Sequence, residues 1–350
     1  MDDLRAAKEE LLKMEDHISE VPFHQPGFLD FNLLRRGAGS YPYVLRSGDV
    51  VLMFSNHKPD AQFPNCRIEI GSISCWQPGW LSLYNRILDW ITFCGCRVFK
   101  EKVSEFHITA DLLGADFSTT GFFDIDRWIT RANDHFLAGK YGNHNYVAFG
   151  KGNFMMRVYD KTSELTPNSP KAIVFNTEWS KKLQAPPPKH VTRIEFQIRR
   201  TVSRELQIET VKDLAANLNG IWQYCVSDWA RFTEIAITSS DRKNKNQQRY
   251  ETAALWQFVQ AIRFDAPESD KLIRRSESPN HINTEILRKM ASGCLLSLCA
   301  ASGLKPDDLL GHIHFSHDLI EKSLTDQFES ENEKYKRKVE TKSNLATITF

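Results

Sequence analysis

The 350-residue sequence lacks any long hydrophobic run and any sign of an export signal. No stretch approaches the roughly 18 to 20 consecutive apolar residues that a membrane span requires. The opening Met-Asp-Asp-Leu-Arg is acidic, whereas a secretory signal is basic and then apolar. We therefore expect a cytoplasmic protein that has no membrane partner.

The sequence also lacks the motifs of several common functional classes. Its seven cysteines are an odd number and include no Cys-x-x-Cys pair, which argues against a disulfide framework and against a zinc ribbon. No Gly-x-x-x-x-Gly-Lys-Ser/Thr element is present, so any helicase that acts with this protein would have to be a host partner.

The net charge is only +1, but it is unevenly distributed along the chain. Residues 140–204 contain twelve lysines and arginines and only four acids, a net of +8. Phosphate-bearing partners favour such a surface because each neutralised phosphate releases condensed counterions, although a solvated lysine-rich face produces the same count. Charge alone therefore leaves nucleic-acid binding and a solvated surface as open alternatives.

Hydrophobic patterning divides the chain into three parts. Residues 1–21 contain an acidic amphipathic helix, and residues 22–240 mix strand and helix patterns. A polar, basic linker at 241–249 then leads into a helical region at 250–350. The predicted fold class is α+β, with a mainly antiparallel sheet, helices on one of its faces, and a C-terminal helical domain.

Local signals predict further elements within the middle part. Apolar spacing and a terminal glycine predict a helix over 80–95, and Asp124 is a candidate N-cap for a second helix that reaches Ala138. Several prolines between residues 159 and 191 predict a loop.

Three predicted strands each have one apolar and one polar face. They span residues 106–112, 153–159 and 191–199, and residues two apart share a face. If the strands pair in one antiparallel sheet, their polar faces bring together His107, Thr109 and Asp111 from the first, Arg157, Tyr159 and Lys161 from the second, and Arg193, Glu195, Gln197 and Arg199 from the third.

These polar faces have two interpretations. Most half-buried antiparallel strands have a solvated polar face, and this reading accounts well for Thr109 and Gln197. The other interpretation is a reaction site, because cations near Tyr159 favour phenolate and nearby carboxylates can bind a divalent metal that polarises a phosphodiester. Oxygen ligands with one imidazole suit Mg²⁺ or Mn²⁺ better than a closed zinc site.

The same segments resemble a known family. FGKGNFMMRVYDKTSE is similar to the Arg-Ile/Val-Tyr-Asp/Asn-Lys-x-x-Glu element of the rolling-circle replication initiators of plasmids and phages, a family that includes relaxases of integrative conjugative elements. SEFHITADLL resembles the family's preceding Arg-Leu-Asp-Leu-Ala-x-Asp strand, and TRIEFQIRR resembles its following Arg-Val/Ile-Glu-x-x-x-Arg/Lys strand. The resemblance covers about residues 66–235 and rests chiefly on the tyrosine element.

The resemblance implies a nuclease-like sheet related to that of the HUH endonucleases, and a metal-dependent enzyme that nicks and rejoins DNA. One strand would be cut at a replication origin by transesterification, which leaves the tyrosine joined to the 5′ phosphate. Tyr159 is then the implied nucleophile, with Lys161 and Arg157 steadying the phosphate charge. The implied ligands for Mn²⁺ or Mg²⁺ are Asp111, Glu195, His107 and Glu164.

One strand departs from the family pattern. His107 stands where the family usually has an acid, and Glu105 stands where it has an arginine. Histidine can still bind a metal, but with different strength and selectivity. A non-enzymatic DNA-binding protein of the same ancestry, with a degenerate metal site, is therefore the alternative function. A phosphodiesterase or RNA-processing enzyme on the same sheet is a third.

The implied partner is single-stranded or cruciform origin DNA, with a host helicase and a second copy of the chain as further candidates. We expect the basic middle of the chain to supply the phosphate contacts, and the candidates are Lys151, Lys181, Lys182, Lys189, Arg193, Arg199 and Arg200.

A rival histidine motif lies near the C-terminus. His312-Ile313-His314 spells the His-hydrophobic-His pattern of another class of nicking enzymes, and His317 follows it. That pattern requires both histidines on a sheet strand, whereas the sequence around this copy predicts a helix.

Overall fold

The computed structural model describes residues 2–23, 30–56, 64–140, 143–243, 246–274, 284–305 and 308–330. The chain divides into two compact units, Met1–Arg274 and Arg275–Phe350. The division falls after Arg274 and not within the 241–249 linker, because the helix Ala254–Ala261 buries Trp256 and Val259 in the core of the first unit.

The described residues form a mixed α+β structure with antiparallel sheets. The strands are β1 (Glu20–Phe23), β2 (Phe31–Leu34), β3 (Tyr43–Ser47), β4 (Val50–Phe54), β5 (Cys66–Ile70), β6 (Glu105–Leu113), β7 (Trp128–Thr130), β8 (His135–Lys140), β9 (Asn143–Lys151), β10 (Phe154–Asp160), β11 (Val191–Arg199) and β12 (Ala230–Phe232). The helices are α1 (Asp2–Lys13), α2 (Ser72–Ser74), α3 (Trp80–Phe93), α4 (Phe117–Thr120), α5 (Lys161–Glu164), α6 (Pro170–Leu183), α7 (Arg200–Glu205), α8 (Val211–Ala216), α9 (Leu218–Gln223), α10 (Ser239–Lys243), α11 (Ala254–Ala261), α12 (Thr284–Ala301) and α13 (Leu309–Ser330). Short 3₁₀ turns cover Ile125–Arg127 and Gln247–Arg249, and π-type turns cover Cys75–Gly79 and Tyr224–Trp229.

The first sheet is an antiparallel meander of β1 to β5 in chain order. The amphipathic helices α1 and α3 pack against it through a shared apolar core. Fully buried members of this core include Leu11, Leu33, Leu45, Leu52 and Ile87. The helices predicted near the N-terminus and over 80–95 are thus confirmed, and both belong to this layer.

The second sheet is antiparallel with the strand order β6-β11-β10-β9-β8. The three strands predicted from alternation are its first three members, and their observed ends lie within one residue of the predicted ends. Because β11 lies between β6 and β10, polar residues from distant parts of the sequence share one face of this sheet.

Helices cover both faces of the second sheet, whereas we expected them on one. The apolar face carries buried residues such as Met156 and Phe196, which pack with Trp222 and Trp256 from the helices that follow β11. On the polar face, α6 covers one end, where Phe175 and Trp179 pack with Val191. At the other end of the polar face, the side chains of Glu105 and His107 are partly exposed, at 39% each.

The predicted helix over 124–138 does not form. Asp124 is a cap, but its side chain accepts only from the backbone N–H of Asp126, in a single 3₁₀ turn. Trp128–Thr130 then pairs with β12, and the Trp128 ring lies 4.8 Å from that of Phe232. His135–Lys140 becomes an edge strand of the second sheet. Strand pairing and aromatic packing outweigh the local capping signal here.

The proline-rich segment before β11 contains a helix where we expected a loop. The Ser169 side chain accepts from the backbone N–H of Ala172, and Pro170 occupies the first turn of α6. Serine followed by proline is a common helix start, and Phe175 and Trp179 are spaced for one buried face. These residues are the signal that the loop assignment missed.

The second unit contains the helices α12 and α13, as the helical pattern predicted. In the described parts of the whole chain, no helix combines the length and the apolar character that crossing a membrane requires.

Candidate active site

The polar side chains of the second sheet lie in rows that the strand register sets. Tyr159 on β10 is opposite Arg193 on β11, which is opposite Asp111 on β6. In the neighbouring row Arg157 is opposite Glu195. Directly opposed residues have Cβ atoms about 4.5–5.5 Å apart, so side chains in the same or adjacent rows can bond to one another.

Glu195 is the centre of a hydrogen-bonded cluster. Its Oε2 accepts from Tyr159 Oη at 2.9 Å, and its Oε1 accepts from Arg157 Nη1 at 2.7 Å. The same Oε1 lies 2.9 Å from His107 Nδ1. The Glu195 side chain is only 11% exposed. One buried carboxylate therefore holds a phenol, a guanidinium and an imidazole together, and we call these four residues the Glu195 cluster.

The members of the cluster shift one another's pKa values. Burial would raise the pKa of Glu195, but the hydrogen bond and charge of His107, with the charge of Arg157, lower it to about 2. The bond to Glu195 raises the pKa of His107 despite partial burial. Burial and the Glu195 charge raise the pKa of Tyr159. At neutral pH the carboxylate is therefore ionised and the phenol keeps its proton.

A second carboxylate, Glu105, contacts His107 from the other side. Its Oε1 lies 3.0 Å from His107 Nε2 and accepts from Gln197 Nε2 at 2.8 Å, and its Oε2 accepts from Arg199 Nε at 2.9 Å. Both ring nitrogens of His107 thus face carboxylates. Sequence analysis identified Glu105 only as a departure from the family pattern. Glu105 lies two residues before His107, so the two side chains share a strand face, and this spacing was the signal for their contact.

Glu105 and His107 also line an open cleft of about 1760 Å³. Its walls include residues of the first sheet, of α3 and of the segment 93–104. Pockets for small molecules have volumes of about 300–1,000 Å³, so this cleft is large enough for a polymeric ligand. The cleft gives solvent and ligands access to the His107 side of the Glu195 cluster.

Asp111 lies in a separate, closed ion pair. It accepts from Arg193 Nε at 2.6 Å and Nη2 at 2.7 Å, and from Trp179 Nε1 at 2.9 Å. The two side chains are 8% and 6% exposed, and Phe175 lies against the guanidinium. The expected contact of Arg193 with a DNA phosphate does not fit this burial. Asp111 has its charge balanced by Arg193 and lies outside the Glu195 cluster.

Lys161 is buried under α6, with 1% of its side chain exposed. Its Nζ donates to Glu164 and lies 5.7 Å from the centroid of the Tyr159 ring. Burial and the charge of Arg193 lower the pKa of Lys161 to about 8. Glu164 also accepts from Lys171 at 2.7 Å. These contacts place Lys161 and Glu164 beside the Tyr159 ring and away from His107.

The remaining basic candidates are spread over the surface of the first unit. Lys181 and Lys182 lie in the last turn of α6 and not in a loop, whereas Lys189 lies in the segment before β11. All three are exposed. Several of the candidates form ion pairs at or near the surface, namely Lys181 with Glu178, Lys151 with Asp134, Arg199 with Glu105 and Arg200 with Glu209.

The rival histidine motif lies on the helix α13, as the sequence predicted, and not on a strand. Next to it, ligand atoms of His317, Asp318 and Glu321 lie within 4.8 Å of one another. All three side chains are exposed, and exposed acidic groups of this kind are common on protein surfaces. We therefore assign no metal site to these three residues.

Among the predicted metal ligands, the structure brings His107 and Glu195 together, and Glu105 adds a carboxylate at the same imidazole. One imidazole with carboxylate oxygens is a donor set that suits Mg²⁺ or Mn²⁺. A divalent cation would replace the positive charge of protonated His107 between the two carboxylates. Asp111 and Glu164 fit less well, because Arg193, Lys161 and Lys171 already balance their charges.

No model of a protein family and no curated protein matches this sequence significantly.

Proposed function

We propose that this protein nicks one strand of DNA by transesterification at Tyr159, in the manner of the rolling-circle initiators and relaxases that its sequence resembles. The observation that carries the proposal is the 2.9 Å hydrogen bond from Tyr159 Oη to Glu195 Oε2. Covalent catalysis uses a nucleophile within hydrogen-bond reach of a base that a third group orients. Arg157 and His107 orient Glu195 through its other oxygen.

In the proposed reaction, Tyr159 Oη attacks the scissile phosphorus while Glu195 Oε2 takes the phenolic proton. The bond from phosphorus to the 3′ oxygen breaks, and the departing oxygen takes up one proton from water. The products are a 5′-phosphotyrosine and a free 3′ hydroxyl. The phosphodiester is exchanged and not hydrolysed, so no nucleotide cofactor is consumed and the reverse step rejoins the strand.

Two cations support this step in different ways. Arg157 is partly exposed beside Glu195, where its guanidinium can stabilise the negative charge that develops on the phosphate. Lys161 is buried beneath the Tyr159 ring, so we assign it a positioning role instead of a contact with the phosphate.

His107, Glu195 and Glu105 would hold the Mn²⁺ or Mg²⁺ ion. When bound, such an ion polarises the phosphodiester and favours the phenolate form of a nearby tyrosine. Glu195 has a pKa of about 2, which makes it a weak base for a phenol whose pKa is raised. The proposal therefore requires a divalent cation for reaction at neutral pH.

The same contacts favour a second candidate, a non-enzymatic DNA-binding protein of the same ancestry. Each carboxylate around Tyr159 already has a cationic partner, Arg157 for Glu195, Arg193 for Asp111 and Lys161 for Glu164. The polar face is thus electrostatically balanced without a metal ion. This candidate predicts binding of single strands without cleavage.

A covalent adduct separates the two candidates. The protein is incubated with Mn²⁺ and a random-sequence single-stranded DNA pool labelled at the 3′ end, and labelled protein is sought on a denaturing gel. We expect an adduct with the natural protein and none with Tyr159→Phe. The matched control is Tyr146→Phe, because Tyr146 lies on the same sheet face with its ring 6.2 Å from that of Tyr159. Binding without an adduct would favour the second candidate.

A further inference from the structure

A row of aromatic rings continues the polar face beyond the Glu195 cluster. The ring of Tyr146 on β9 lies 6.2 Å from that of Tyr159 and 6.1 Å from that of Phe136 on the edge strand β8. Phe136 is 61% exposed. Packing does not explain an exposed phenylalanine beside the Glu195 cluster, because burying such a large apolar ring would stabilise the fold.

On this sheet face Phe136 is exposed and Tyr146 is partly exposed. Phe136 is opposite Ala148, and Tyr146 is opposite Ala138, so small side chains lie between the rings. The planes of Tyr146 and Phe136 are inclined by 67°, and those of Tyr146 and Tyr159 by 36°. The rings therefore do not stack fully on one another, and a flat ligand can approach them from solvent.

Positive charge lies next to this row. Ala148 is opposite Phe136 on one side and Arg157 on the other, so the three residues form one line across the sheet that leads to Glu195. The Arg157 side chain is 24% exposed. Aromatic rings beside an arginine are the combination with which proteins bind single-stranded nucleic acid, because bases stack on the rings and the cation attracts the backbone.

We infer that Phe136 and Tyr146 form a stacking surface for the bases of a DNA strand whose scissile phosphate lies at Tyr159. This inference rests on the proposed function, which places that phosphate at Tyr159. The surface selects an unpaired strand, because the faces of bases within a duplex are already stacked. Stacking tolerates any base, so this surface sets the path of the strand and leaves the reading of sequence to other contacts.

The test measures binding of a short, fluorescein-labelled thymidine oligonucleotide by fluorescence anisotropy in the full-length protein. Loss of one stacking ring weakens single-strand binding about 5-fold to 150-fold, so we expect Phe136→Ala to do so and Phe136→Trp to retain the affinity. The matched control is Phe258→Ala, since Phe258 on α11 is 62% exposed and should leave affinity unchanged.

Two further readouts identify stacking as the cause. An abasic oligonucleotide of the same length should bind Phe136→Ala and the natural protein equally, because it offers no ring to stack. The slope of log affinity against log salt should also stay the same, because the substitution removes no charge.

The failure of this inference can be told apart from the failure of the proposed function. If Phe136→Ala binds the thymidine oligonucleotide as tightly as Phe258→Ala does, the stacking surface is refuted, whether or not an adduct forms at Tyr159. If Phe136→Ala loses affinity while no adduct forms with the natural protein, the stacking surface stands as a single-strand binding site and the nicking activity is refuted.

Discussion

At the scale of single residues, four acids on or beside one sheet face have three different environments. Glu195 and Glu105 share His107, Asp111 is closed off with Arg193, and Glu164 is held by lysines. Strand alternation predicted which of these residues share a face, but it does not determine which acid bonds to which cation. That choice depends on side-chain reach and on the cover that α6 supplies, neither of which is visible in a strand pattern.

The buried Lys161 yields a prediction about stability and pH. Its pKa is about 8 in the folded protein, because of burial and the charge of Arg193, against an ordinary value of 10.5. Between pH 8 and 10.5 the unfolded chain therefore binds more protons than the folded one, so Lys161 makes the free energy of unfolding rise with pH across this window. Below pH 8 it is protonated in both states and contributes no pH dependence.

The measurement compares urea unfolding of the natural protein and of Lys161→Met across that window. The other charged or titratable groups that face Lys161 are Glu164, Lys171, Arg193 and Tyr159, and all of them remain in the variant. We expect the rise with pH to be present in the natural protein and smaller in Lys161→Met. Parallel curves for the two proteins would contradict the lowered pKa.

At the scale of elements, the Asp111–Arg193 pair joins α6 to the sheet through Trp179. Removing one partner of a buried ion pair leaves an uncompensated charge, which costs about 3–5 kcal/mol. We therefore expect Asp111→Ala to lower the free energy of unfolding by about that amount, measured by urea denaturation. If this variant also lost nicking activity, we would attribute the loss to the destabilised fold and not to the removal of a metal ligand.

Two further variants control that experiment. Replacing both partners, Asp111→Leu with Arg193→Met, should recover most of the lost stability, because apolar side chains of similar volume can replace a buried pair. Lys151→Ala, which breaks the exposed pair with Asp134, should change stability by no more than about 1 kcal/mol. An Asp111→Ala variant as stable as Lys151→Ala would contradict the closed ion pair.

The elements also show how far the sequence alone predicts this fold. The strands β6, β10 and β11 have strict alternation, because one face is buried in the aromatic core and the other is polar, and their positions were predicted nearly to the residue. The strand β8 has no such pattern, since Phe136 is exposed on an edge strand. Its assignment depends on pairing with β9, which is a tertiary contact. For the same reason the stacking surface was not visible in the sequence.

At the scale of the whole molecule, the position of the unit boundary can be tested by truncation. Trp256 is fully buried, donates through Nε1 to the carbonyl of Val226, and packs edge-on against Trp128. We expect the fragment 1–274 to retain the stability of the first unit. The fragment 1–249 should be less stable by at least about 3–5 kcal/mol, because it loses this tryptophan from the core.

Thermal unfolding followed by tryptophan fluorescence or circular dichroism compares the two fragments. Equal stability of the two would place the boundary in the 241–249 linker, as the composition of the sequence suggested, and would mean that α11 contributes little to the core. The polar composition of residues 241–249 does not by itself mark a domain boundary, because short polar connections also occur within a compact unit.

The most direct test of the central claim is to identify the residue that carries the DNA. The adduct formed with Mn²⁺ is digested with nuclease and protease, and the peptide that bears a nucleotide is sequenced by mass spectrometry. We predict that the modified peptide contains Tyr159 and that its nucleotide is joined through the 5′ phosphate to this tyrosine. The peptide begins after Arg157 if the protease cuts there, and otherwise includes Arg157. A nucleotide on Tyr146 or on any other residue, or no modified peptide despite tight binding of single strands, would contradict the assignment of Tyr159 as the nucleophile.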